Sequence, residues 1–470
     1  MSAITVVDAA LAAGRRQIEE LNRELWRHPE GAFEEYATAE ILSRALEREG
    51  FRLEKNIAGL PTAFTAAYGA GAPRIAVLTD LDALPGLSQQ AGAASPQPLA
   101  GQEYGHGCGH SAIGAGAFAA VLGAKAWLEA SGRPGTIIFI GCPGEENGGG
   151  KTYLVRAGVF RDLACAFTWH PGDRNGVGAG SMNANITAVL RFKGTAAHAA
   201  FAADKGRSAL DAAELTNVGV NYLREHIAPD ARIHYAYLDA GGVAPNIVQS
   251  RAALVYSVRA PRLSEAATLL ERVAQIARGA ALMTETETEY EVAASYADYE
   301  PNDVLSRVLS DAFQAAGPPA FDEADFALAR TFFLTLPERV RAEALATAGG
   351  KLSAERPLDT AVRAFDPVAR SRHHASTDFG DVSYVLPTAQ ASCAAAALGT
   401  PLHSWQYTGQ AGAAIADKAV LAVGKALALA AVKTFEDEGV LRAAWAEFRE
   451  RREGRYLSLL PADAVPQPLK

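Results

Sequence analysis

The stretch His106-Gly107-Cys108-Gly109-His110 sets a thiol and an imidazole two residues apart in a glycine-rich turn, and Glu145-Glu146, His170 and His403 follow downstream. Groups of these types hold divalent metal ions, and hydrolytic metal sites keep one position open for water. Cys108 and His110 are too close in sequence to be two arms of one helix face, but Gly109 permits a turn that aims both inward. Taken alone, Cys-Gly-His also reads as a small buried thiol beside a surface histidine. The adjacent carboxylates add a division of labour: one can hold a metal while the other takes a proton from water and passes it to a leaving amine. Paired glutamates on a solvated turn and single histidines in a core are both common. Four candidate positions that each close an apolar segment are harder to explain in that way.

Those segments are the elements that must position the chemistry. Residues 75–78, Ile-Ala-Val-Leu, run into Asp80 and Asp82, and residues 136–140, Thr-Ile-Ile-Phe-Ile, run into Gly-Cys-Pro-Gly-Glu-Glu. Both read as buried strands whose carboxyl ends deliver acids into a loop, the place where open α/β sheets bind ligands. His170 follows Cys165-Ala166-Phe167, and His403 follows the small-residue run 394–397. Apolar segments alternating with helical patterns predict a mainly parallel sheet covered by helices. The pattern changes near Asn183. An alternating strand over 186–192, a helix from Ser208, strands over 233–238 and 252–258, and a helix over 264–281 predict an inserted α+β unit of split β-α-β type. The expected division is 1–183 and 297–470 for the catalytic domain and 184–296 for the insert, with a return near Glu300-Pro301-Asn302. An exposed polar loop is expected over 349–357.

Composition narrows the function classes. The chain has 470 residues, 49% hydrophobic and 21% charged, enough for more than one core and too apolar for global disorder. With a net charge of −9 and scattered basic residues, it offers no stripe for nucleic acid. Four cysteines, Cys108, Cys142, Cys165 and Cys393, suit a reducing cytoplasm better than a disulfide framework. Asp8, Arg15, Arg16, Glu19 and Glu20 interrupt the first helix, so no signal peptide is read there. Residues 411–435 are rich in Ala, Leu and Val, but Asp417, Lys418, Lys425 and Lys433 make them a core-packed amphipathic helix and not a membrane span.

With these motifs assembled, the chain resembles the amidohydrolase and aminoacylase family of two-metal peptidases, and within it the type acting on p-aminobenzoyl-glutamate. The resemblance rests on His106-Gly-Cys-Gly-His110, Gly141-Cys-Pro-Gly-Glu-Glu146, Thr168-Trp-His-Pro171, Phe192-Lys-Gly-Thr-Ala-Ala-His-Ala199, Gly206-Arg-Ser-Ala-Leu-Asp211, Gly241-Gly-Val-Ala-Pro-Asn246, Ser376-Thr-Asp-Phe-Gly-Asp-Val382 and Gly399-Thr-Pro-Leu-His403, in family order through nearly the whole chain. It implies an α/β metallopeptidase catalytic domain carrying a ferredoxin-like lid and dimerisation domain. It implies that Cys108, His110, Glu146, His170 and His403 bind two divalent ions, with Glu145 as general acid/base and Asp82 as an orienting group. His198 would reach a partner subunit's site to steady the oxyanion. Asn246 and Arg259 would grip the substrate carboxylate, and Arg207 a second one or simply the solvent. Two positions depart from many relatives: Ser111 stands where an acid often follows the second histidine, and 199–203 lacks a proline after His198. The implied substrate is an N-acyl or N-aroyl amino acid; a dipeptide or an aryl amide stays open, as does a subunit that needs a homologous partner instead of a homodimer. Cysteine favours zinc, and the carboxylate and the resemblance allow manganese.

Overall fold

The computed structural model describes residues 1–348, 352–451, 456 and 458–467. In chain order the elements that matter here are α1 (Ala3–Arg27), β1 (Arg52–Lys55), β2 (Phe64–Ala70), β3 (Arg74–Asp80), α2 (His110–Ser131), β4 (Gly135–Cys142), α3 (Gly150–Arg156), β5 (Cys165–Gly172) and β6 (Asn175–Val177). The inserted unit contributes β7 (Ala184–Lys193), α4 (Ala209–Leu223), β8 (Arg232–Asp239), β9 (Arg251–Ala260), α5 (Leu263–Thr284) and β10 (Glu287–Tyr296). The return supplies α6 (Asp303–Ala316), β11 (Val362–Arg363), β12 (Thr388–Ala394) and α7 (Ala414–Glu436).

The larger sheet has eight strands in the order β1-β2-β4-β3-β5-β12-β6-β11. Its centre is parallel: β3 pairs with β4 and β5, and β5 with β12. Strands buried on both faces read as continuous apolar runs, and β4 is buried at every position. The parallel centre brings the carboxyl ends of β3, β4, β5 and β12 to one edge, and that edge carries the site.

Helix α2 is apolar all round and almost wholly buried, packed against α1, α7 and the sheet. By length and composition it could cross a membrane, yet 89% of its apolar window is buried inside the fold, as in a core helix. The expected core helix over 411–435 is α7. Its charges end in pairs: Asp417 with Arg23 at 2.6 Å, Lys425 with Asp8 at 2.6 Å, Lys433 with Asp437 at 3.1 Å, and Lys418 with Asp322 and Asp325.

The inserted unit has its own four-stranded antiparallel sheet, ordered β8-β9-β7-β10, and its own apolar core. Helices α4 and α5 pack together and cover one face. Ser208 caps α4 by accepting from the Asp211 amide at 3.1 Å. The fourth strand, β10, goes beyond the expected split β-α-β pattern. Its first half, Glu-Thr-Glu-Tyr-Glu, lines one face with exposed acids and the other with Thr288 and Tyr290, neither of them buried, and so lacks the apolar alternation that marks a half-buried strand in sequence. Of the loop expected over 349–357, residues 349–351 lie outside the described residues; 353, 355 and 356 are exposed, whereas Pro357 is buried.

Candidate metal centre

Gly109, with φ of 77°, closes the turn before α2, and a Cβ there would come within 2.7 Å of Pro171 and 3.0 Å of the Tyr407 ring. Only glycine meets both demands, so Cys108 and His110 are thrown to the same side of the turn. The Cys108 Sγ lies 3.3 Å from His170 Nε2 at the end of β5. His110 Nε2 stands 3.8 Å from Glu146 Oε1, and His403 Nε2 stands 3.4 Å from the same oxygen. His403 adopts a left-handed φ of 57°, held by its amide donating to the Gly107 carbonyl at 2.8 Å. Strained backbone of this kind persists where the surroundings over-determine it.

Three sets of ligand atoms therefore lie within 4.8 Å of one another: Cys108, His110 and His170; Cys108, Glu146 and His403; and His110, Glu145 and Glu146. Buried polar atoms are normally hydrogen-bonded. Here His110 Nε2, Glu146 Oε1 and Asp82 Oδ1 are buried with no hydrogen-bond partner among the described residues. Thiolate, imidazole and carboxylate atoms left open toward a shared point form a donor set that fits divalent ions.

Supporting contacts orient the donors. His110 Nδ1 faces the Asp82 carbonyl at 2.8 Å and its carboxylate at 3.3 Å, while Asp82 Oδ2 accepts from the Glu146 amide at 2.9 Å. The carboxylate beside His110 thus comes from the end of β3 and not from the position of Ser111, whose hydroxyl is buried without a partner among the described residues. His106, the other histidine of the motif, turns away to the Leu25 carbonyl at 3.1 Å, and burial pushes it down to about 3.

The two glutamates differ in their hold on a proton. Burial, together with the charges of Asp80, Glu146 and Asp378, pushes Glu145 well above the usual carboxylate range. Burial also raises Glu146, but His403, 3.4 Å from its Oε1, and the nearby His110 outweigh it and bring it down to about 2. Two adjacent carboxyls driven apart in this way are suited to different roles, one as proton carrier and one as ligand. Beneath them lies a group that the sequence did not advertise: Lys151 at the start of α3, buried between Asp80 and Asp378, with its amide donating to Asp378 Oδ2 at 2.9 Å.

A family model described as peptidase family M20/M25/M40 matches residues 76–348. A p-aminobenzoyl-glutamate hydrolase chain of Escherichia coli (strain K12), named as one of that enzyme's subunits, is 43% identical over 474 residues, 99% of this chain and 98% of that protein. The chain belongs to the M20/M25/M40 family. Membership makes it a metal-dependent amide hydrolase. A mouse Xaa-Arg dipeptidase is 31% identical over 91% of this M20 chain and 88% of its own length. Among solved structures, an aminobenzoyl-glutamate utilization protein from Klebsiella pneumoniae matches 90% of this chain and 98% of its own, with a TM-score of 0.57 and 19% identity, a likeness of fold.

In this M20 chain the cluster forms one wall of a cleft of about 530 Å³, and the helix-free face of the inserted sheet forms the opposite wall. Cys108, Glu145, Glu146, His170 and His403 line it, and so does Arg259 on β9, beside Ser257 and His234. His198, Asn246 and Arg207 do not. His198 and Asn246 sit together at an exposed two-residue antiparallel ladder of 197–198 with 247–248, segments far apart in sequence, where the Ala199 amide donates to the Asn246 carbonyl at 2.9 Å. The Arg207 guanidinium is turned to Glu285 at 2.9 Å.

Proposed function

We propose that this chain hydrolyses the amide bond of an N-aroyl or N-acyl amino acid, with p-aminobenzoyl-glutamate as the leading substrate. The observation that carries the reading is the shared cleft: the carboxyl of Glu145, the ligand cluster and the guanidinium of Arg259, which has no partner among the described residues, all face it. Its volume of about 530 Å³ suits a small molecule, since such sites run from roughly 300 to 1,000 Å³. The identity with the Escherichia coli protein supports the substrate.

Cys108, His110, Glu146, His170 and His403 would hold two divalent ions, manganese or zinc, and Asp82 would orient His110 and the Glu146 backbone. The bound ions supply Lewis acidity and lower the pKa of a water molecule. Glu145 takes the proton of the attacking water and delivers it to the leaving amine nitrogen, a transfer favoured by its raised proton affinity. Arg259 binds the substrate carboxylate through its planar fork, fixing which amide reaches Glu145. Residues 184–296 serve as a lid and dimerisation domain over the catalytic parts 1–183 and 297–470. The exposed ladder of His198 and Asn246 then serves a second subunit, with His198 steadying the oxyanion and Asn246 the carboxylate; Arg207 stands nearby as a further carboxylate contact. The Escherichia coli relative is named as one subunit of its enzyme, so a homologous partner is the second reading of that assembly. Four free, buried cysteines support a cytoplasmic setting.

The test is release of glutamate from p-aminobenzoyl-glutamate by chelator-stripped protein with Mn²⁺ or Zn²⁺ restored, beside a Glu145→Ala variant. Turnover should return with metal and fall by about 10²–10⁴ in the variant. A metal-restored protein inert toward this substrate would send the search to other amides.

A further inference from the structure

The loop that carries Glu145 and Glu146 is rich in glycine, at Gly144, Gly148, Gly149 and Gly150, and so has little stiffness of its own. It is held from outside. At its far side the Asp82 carboxylate accepts from the Glu146 amide. At its near side stands Glu35, which belongs to no ligand set and is fully buried. Glu35 Oε1 accepts from the Gly144 amide at 2.8 Å and from the Phe33 amide, also at 2.8 Å. Its second oxygen takes the Thr62 hydroxyl at 2.7 Å.

One carboxylate oxygen thus ties together the two surfaces of a single contact. Phe33 has a left-handed φ of 63°, costly for an aromatic residue. In that pose its ring fills the notch left by the missing side chains of Gly144 and Gly148, where a Cβ would lie 2.8 and 2.1 Å from it. The same corner reaches the other site loops: the Glu30 carbonyl accepts from the Ala83 amide at 2.7 Å, one residue beyond Asp82, and the Leu25 carbonyl faces His106.

We infer that Glu35 is a positioning residue for the reaction, holding the 144–149 loop, and through it Glu145 and Glu146, against the corner built by Phe33. The inference rests on the assignment of Glu145 and Glu146 above. What matters is the acceptor oxygen shared by two amides, not the charge. A glutamine can present the same acceptor and donate to Thr62 from its amide nitrogen. An aspartate, one methylene shorter, cannot span both amides and Thr62 at once.

The test uses the metal-loaded full chain and two readouts. Amide hydrogen exchange over residues 144–149 should quicken at least tenfold in Glu35→Ala and in Glu35→Asp, and stay within twofold of the parent in Glu35→Gln and Thr62→Val. With p-aminobenzoyl-glutamate, kcat should fall at least tenfold in the first two at unchanged KM and metal content, and hold in the last two. Thr62→Val removes a buried contact of Glu35 without touching the loop, so a purely structural role predicts equal losses in it and in Glu35→Ala. Should Glu35→Ala fail to fold, Glu35→Asp against Glu35→Gln decides. Unchanged exchange in Glu35→Asp, or equal quickening in Thr62→Val, would overturn the inference. Because exchange is read without turnover, an inert parent protein would count against the proposed substrate alone, and the exchange rates would still decide the role of Glu35.

Discussion

The floor of the cleft and the ladder of residues 197–198 with 247–248 hold their polar side chains in opposite ways. On the floor, Cys108, His110, Glu145 and Glu146 are buried or nearly so, fed by four strand ends and cross-braced by Asp82. At the ladder, His198 and Asn246 are exposed and outside the cleft of their own chain. Rigid sheet edges can hold reacting groups within fractions of an ångström, whereas a two-residue ladder cannot unless a second surface packs on it. On the proposed assignment, the contrast teaches that one chain holds the whole ligand set while part of the substrate grip waits for a second subunit.

The strongest way to break that comparison is to separate its halves onto different chains. If His198 acts in the site of a neighbouring chain, His198→Ala should lower kcat by about 10²–10³, the loss expected for one oxyanion donor. Mixing that variant with Glu145→Ala and allowing the chains to exchange should then restore activity well above the sum of the two, because one site per mixed dimer has both groups intact. Activity no greater than the sum would confine His198 to its own chain or to none.

Arg259 sharpens the contrast, since it belongs to the inserted unit yet faces the floor of its own chain. Arg259→Ala should raise KM by about 10–100-fold for a substrate with a free carboxylate, matching a lost charge-assisted hydrogen bond of roughly 1.5–3 kcal/mol. An amidated substrate should show little difference between parent and variant. Equal losses on both substrates would remove Arg259 from carboxylate recognition.

The smallest effect concerns stability. Burial and then the charge of Asp82 push Glu35 up to about 8, and burial pushes Asp381 up to about 7. Acids that hold protons more tightly when folded stabilise fully at pH below their ordinary carboxylate range, and that contribution is lost as pH rises through their folded values. Thermal midpoints should therefore decline from about pH 5 to 9, and less steeply in Glu35→Gln. Parallel curves would show that Glu35 does not carry this dependence.

The legible part of the site was the part written in strand ends. Apolar runs before Asp80, Glu145 and His170 announced both the sheet and the side to which its acids point, and Gly109 announced the turn. Glu35 escaped because Phe33-Glu34-Glu35-Tyr36 reads as the polar start of a helix; only the tertiary fold shows that Glu35 is turned inward toward Gly144. Lys151 escaped for a related reason: a lysine in Gly-Gly-Gly-Lys-Thr looks solvated until Asp80 and Asp378, 71 and 227 residues away, close around it. Burial of a charge is decided by partners distant in sequence, which periodicity does not reveal. Strand β10 was missed because its first half, Glu-Thr-Glu-Tyr-Glu, has no buried face and its second half, Val-Ala-Ala-Ser-Tyr, is small and increasingly buried without alternating.

The lone lysine has a last consequence. Around it the fold gathers Asp80, Asp378 and Glu145, three acids against one buried ammonium among the described residues. Positive charge brought by ions from solution relieves that repulsion in the folded chain and has no counterpart in the unfolded one. An ion bound at the cluster would therefore set folding stability as well as turnover: above the dissociation constant, each tenfold rise in free ion adds about 1.4 kcal/mol to folding per site. Chelation should then lower the thermal midpoint as well as stop turnover.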